Sequence, residues 1–146
     1  MSLREMAAGG KIARLPAGKK EVQDLVLKAS RRIEEAENEA NYPETRLEQA
    51  YNAILSCATA ALRASGYRVS RGEGQHQRTI ETLLYTLRLP ANLVDYLQDL
   101  RSARNAALYE GLVDVPDSDV SEAIREAKEL LARTREWLRR HHPKLF

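Results

Sequence analysis

From Glu44 to Ala64 apolar residues return every three or four positions: Leu47, Ala50, Tyr51, Ile54, Leu55, Ala58, Ala61 and Leu62. That spacing predicts a helix with one broad apolar face. Further alanines, Ala53 and Ala60, lie on its other sides. Small residues all round let neighbouring helices approach closely, so this stretch reads as the central helix. Gly66 follows it and suits the left-handed residue that ends many helices.

The same period recurs along the chain. Val22, Leu25, Val26, Ala29, Ile33 and Ala36 predict a helix from about Lys20 to Asn38, which Asn41-Tyr42-Pro43 ends. Ile80, Leu83, Leu84 and Leu87 predict another over QHQRTIETLLYTLRL, interrupted by Pro90. Leu93 to Tyr109 reads as the next, with Leu93, Leu97, Leu100 and Ala107 inward and Tyr96 and Ala103 beside them. Gly111 to Pro116 breaks it, and Asp119 followed by Glu122 is a capping-box pattern opening the last. There Ala123, Ile124, Ala127, Leu130, Leu131, Thr134 and Leu138 face inward.

Strand-like alternation is not seen. Four long helices and one short one, joined by short loops, predict an all-α antiparallel up-down bundle of four to five helices. Residues 1–18, with Gly9, Gly10, Pro16 and Gly18, read as a flexible arm; residues 19–146 read as one domain.

Charge narrows the function. With 23 basic and 21 acidic residues the net charge is +2, too small for wholesale coating of nucleic acid. Cys57 is the only cysteine, so no internal disulfide or cysteine cluster forms, which fits a cytoplasmic setting. In an alanine-rich helix it reads as a buried thiol rather than a nucleophile. No stretch predicts a membrane span or a secretory leader. His141 and His142 sit together near the end and His76 stands apart, so neither a metal site nor a cofactor is expected. Arg71 to Gly74, RGEG, is too short for a phosphate-cradling P-loop.

The remaining chemistry lies on the helix ending at Tyr109. Arg101, Arg104, Asn105, Leu108 and Tyr109 make a polar stripe beside the apolar one. Arg104 falls about 40° from Leu100 around the helix, at the edge of the core face. A guanidinium there keeps its charge and needs partners. They are either a carboxylate or carbonyl that props up the fold, or an anion held in a cleft. His76 opens the preceding helix, whose dipole should lower its pKa.

RLEQAYNAILSCATAALRASGYR, then GEGQHQRTIETLLYTL, then YLQDLRSARNAALYEG resemble the HEPN domain in spacing and order. HEPN domains are small all-α bundles of prokaryotic toxin–antitoxin, defence and CRISPR systems. Many members resemble metal-independent ribonucleases in which an Arg and a polar neighbour hold the scissile phosphate and a His, four to six residues on, helps proton transfer. The resemblance implies Arg104 as that Arg and Asn105 as its neighbour, with Tyr109 where the His should be. A phenol titrating near pH 10 is a poor base at neutral pH. The expected reading is an RNA- or nucleotide-binding protein with an Arg-Asn-Tyr cleft, aided by Arg101 and His76. It would be weakly catalytic at most, and would act as a homodimer, with a nucleotidyltransferase-type partner. An active ribonuclease toxin using Arg104, Asn105 and Tyr109, and a purely structural interaction bundle, stay open beside it.

Overall fold

The computed structural model describes residues 1–111 and 114–146. The described chain is mostly helical. Its elements in order are α1 (Leu3–Ala8), β1 (Ile12–Arg14), α2 (Lys19–Glu37), α3 (Pro43–Ala64), β2 (Tyr67–Val69), α4 (Gln75–Glu81), α5 (Ala91–Tyr109) and α6 (Asp117–His141). Six helices therefore stand where four long and one short were expected.

The central place falls to α3. Tyr51, Ala53, Ile54, Cys57, Ala58 and Ala60 are all fully buried, and α2 and α6 pack along it. The alanines leave no side chain to hold those helices off, which is why one helix can be enclosed on several sides. Pro43 starts α3 at a position where its missing N–H costs nothing. Gly66, at φ +89, ends it and donates its N–H to the Arg63 carbonyl at 2.9 Å.

Residues 1–18 are not an irregular arm. Ser2 caps α1 by accepting the Glu5 N–H at 3.2 Å. β1 pairs antiparallel with β2, Ile12 opposite Val69 and Arg14 opposite Tyr67. Met6, Ile12, Leu62 and Tyr67 form a small second core beneath them. A strand of three residues is too short to show alternation, and its partner lies beyond two helices, so local pattern could not reveal it.

Arg63 pins this N-terminal unit to the rest. Its side chain is 9% exposed. The guanidinium meets Glu21 through two bonds of 3.0 Å, and also donates to the carbonyls of Leu15, Pro16 and Tyr67.

The third predicted helix is also shorter than its pattern. α4 stops at Glu81 and a 3-10 turn spans Thr82–Leu84. Thr82 and Thr86 turn their hydroxyls onto the carbonyls of Thr79 and Thr82, at 2.6 and 3.2 Å. Arg88 then takes φ 57, the one positive φ outside glycine among the described residues, and the helix cannot continue. Leu83 is buried while Leu84 is only half-buried, as is Leu55 on α3.

On α5 the buried residues are Val94, Leu97 and Leu100; Leu93 and Ala107 are half-buried and Ala103 is exposed. The inward stripe thus runs through Val94 rather than Leu93 and thins after Leu100. α6 begins at Asp117 with Pro116 as its N-cap, whose carbonyl accepts from Asp119 and Val120. The Asp119–Glu122 capping box is therefore not used. The break expected over Gly111–Pro116 falls partly on residues 112–113, outside the described residues.

Candidate functional site

Arg104 sits on α5 one turn beyond Leu100, as its spacing predicts, and its side chain is only 11% exposed. Three groups surround it. Its Cζ lies 5.3 Å from the centroid of the Tyr51 ring on α3. Its Nη2 is 3.8 Å from Glu48 Oε1, one turn before Tyr51 on the same helix. Its Nη1 donates to Asn105 Oδ1 at 3.2 Å. Its Nε is buried with no hydrogen-bond partner among the described residues.

The ion pair is loose. At 3.8 Å it exceeds the 2.7–2.9 Å of a charge-assisted hydrogen bond. The guanidinium is therefore held mainly by the aromatic face below it and is left with donor capacity to spare.

His76 reaches the same place from α4. Its ring lies 6.2 Å from that of Tyr51, tilted by 47°. Burial lowers its pKa, and Arg104 and Arg101 lower it further. The direction matches the expectation from the helix dipole, but partial burial and two guanidinium charges are the cause. The imidazole is thus neutral at neutral pH and has one nitrogen free of a proton.

Arg101 stands one turn before Arg104. Its Nε donates to Gln98 Oε1 at 3.1 Å, and Gln98 Nε2 donates to the Gln77 carbonyl at 2.9 Å, tying α5 to α4. Arg101, Arg104, Asn105 and His76 are thereby gathered from two helices. Tyr109 does not join them. It is the last residue of α5 and is 75% exposed, with no hydrogen bond to Arg104 or Asn105. Five residues turn an α-helix by about 140°, which carries Tyr109 to another side.

Tyr51 and Glu48 belong to the cluster, and the sequence reading placed Tyr51 in the core alone. Tyr51 is fully buried, yet its hydroxyl has no partner among the described residues. Burial pushes its pKa up to about 12, against the pull of Arg104 and Arg101. The available signal was the i, i+3 spacing of Glu48 and Tyr51, which puts a carboxylate and a phenol on one face of α3. Among the described residues no group of three His, Cys, Asp or Glu could hold a metal ion. What the cluster offers chemically is two guanidiniums with the charge to hold an anion and a neutral imidazole beside them with the capacity to take a proton.

Comparison of the chain with protein-family models, with curated proteins and with solved structures found no significant match. No helix among the described residues is long and apolar enough to cross a membrane.

Proposed function

We propose that this chain is a HEPN-like domain that binds RNA or a nucleotide phosphate through Arg101, Arg104, Asn105 and His76. On this reading its long helices form an antiparallel up-down bundle. The protein works in the cytoplasm in a toxin–antitoxin or defence setting, and a nucleotidyltransferase-type protein is its cognate partner. Two copies of α5 pair across a groove, which would double the positive charge around one phosphate. Tyr109, exposed at the end of α5, then belongs to the dimer groove rather than to the clamp within one chain.

The single observation that carries the reading is Arg104. It is largely buried over an aromatic ring, its counter-ion stands off at 3.8 Å, and its Nε is unpaired among the described residues. Arg63 in this same chain closes five hydrogen bonds, whereas Arg104 closes one, to its neighbour Asn105. The second reading, a metal-independent ribonuclease, is favoured by His76. The RNA 2′-hydroxyl is an internal nucleophile, so an anion clamp and one base of suitable pKa suffice.

The test is titration of fluorescein-labelled single-stranded RNA into the protein by anisotropy, with the same RNA run on a gel with and without EDTA. Binding without cleavage supports the first reading. Cleavage that survives EDTA and is lost in His76→Ala supports the second. No binding at low salt removes both and leaves a structural bundle.

A further inference from the structure

In the C-terminal half of α6, Arg133, Glu136, Trp137, Arg140 and His141 recur at i, i+3, i+4, i+7 and i+8. That spacing puts them on one face of the helix, and all five line one cavity of about 520 Å³. Arg88 and Pro90, on the connection between α4 and α5, line it too. The volume falls within the range of about 300–1,000 Å³ typical of small-molecule pockets.

Three guanidiniums share this cavity with one carboxylate. Glu136 stands 3.4 Å from Arg140, but both side chains are mostly exposed, so the pair is weak. Arg88 and Arg133 are exposed and form no ion pair among the described residues. Arg140 and His141 lie in the last turn of α6, where the helix dipole favours cations. Arg133 stands two turns earlier and Arg88 belongs to another segment, so the dipole accounts for neither. Arg88 also takes φ 57. Beside it the Leu89 N–H donates to the Leu83 carbonyl at 3.1 Å, the closure that a glycine usually makes at a helix end. Here an arginine holds the left-handed position, and it brings a guanidinium to the cavity.

Trp137 is the chain's only tryptophan and is half-buried. The His142 ring lies 4.8 Å from it, tilted by 56°, and the His141 ring 5.8 Å, tilted by 44°. His142 is not part of the cavity lining, so it braces the indole from outside.

We propose that this cavity is a nucleotide site, with the base against Trp137 and the phosphate on Arg88, Arg133 and Arg140. A flat ring stacks on an indole, and guanidiniums take phosphate oxygens in pairs. Arg133 and Arg140 stand about 10 Å apart along the helix with Trp137 between them, so a base on the indole carries its phosphate toward either. A free mononucleotide and one unit of a single strand present the same two groups. None of the lining residues belongs to the Arg104 cluster, and binding there is a separate measurement.

Because Trp137 is the only tryptophan, its emission reports this cavity alone. Adenosine monophosphate and a short oligoadenylate are titrated in, with free tryptophan amide as the absorbance control. A saturable quench is expected. Quenching by the mononucleotide marks a site for free nucleotides, and quenching by the oligoadenylate alone marks a strand site; either supports the proposal. Adenosine and ribose 5-phosphate, each lacking one of the two groups, should bind about tenfold more weakly or worse. Arg88→Ala with Arg133→Ala, both exposed, should weaken the nucleotide by about tenfold or more while the helical circular dichroism is retained. Arg104→Ala should leave the quench unchanged. The absence of a saturable quench overturns the proposal. So does a quench that survives the double variant, one that ribose 5-phosphate matches, or one that is lost in Arg104→Ala.

Discussion

The guanidinium of Arg104 lies over the ring of Tyr51, and the two are joined by charge and face rather than by a hydrogen bond. The Tyr51 hydroxyl is buried without a partner among the described residues, so it contributes nothing there that its ring does not. Tyr51→Phe keeps the face and removes the orphan oxygen. Stability in urea should be unchanged or should rise by up to about 1 kcal/mol. A loss of more than about 1 kcal/mol would mean that the hydroxyl has a partner in solution.

His76 gives a pH signature. Its pKa lies below the ordinary 6.5, through burial and then Arg104 and Arg101. A histidine depressed in the folded state adds stability that is fully present above pH 6.5. That stability is lost as the pH falls through the folded pKa, because the unfolded chain takes the proton first. Titrating the His76 ring proton by NMR should give a midpoint below 6.5, and Arg104→Ala should move it upward. A midpoint that ignores Arg104 would separate the two residues.

Arg63 is the contrasting arginine. It is buried and every one of its bonds is made, two of them to Glu21 and three to backbone carbonyls. Arg63→Ala strands those acceptors and frees the strand pair. It should cost about 1–3 kcal/mol in denaturant unfolding, the penalty for leaving buried carbonyls unmade, since the Glu21 side chain is 45% exposed and stays solvated. RNA binding at equal folded protein should be unaffected.

The sequence was most legible where apolar period and helix length agree. α2 and α3 start and stop within about a residue of their expected positions, and Arg104 stands one turn past Leu100 at the core edge. It was least legible where structure depends on distant pairing. β1 becomes a strand only because β2 lies beside it, and Met6 is buried only because that pair covers it. α4 gives way to a 3-10 turn at Thr82 and the chain turns at Arg88 with φ 57, a backbone change that an apolar count does not see. At the site, Arg104 and Asn105 were found by spacing along one helix. Tyr51 was missed as a site residue because its role comes from a second helix packed across it.

Arg104→Ala, followed by binding and stability on the same samples, tests the central claim most directly. An anion clamp predicts that affinity for labelled single-stranded RNA falls ten- to hundredfold, the worth of about 1.5–3 kcal/mol for a charge-assisted contact. Stability should fall by no more than about 1 kcal/mol, the share of the contact with the Tyr51 face. Arg104→Lys should recover binding only in part, because an ammonium lacks the planar fork. The contrary result is RNA affinity that stays at the wild-type value in Arg104→Ala while the urea midpoint collapses, which would make Arg104 a prop of the fold.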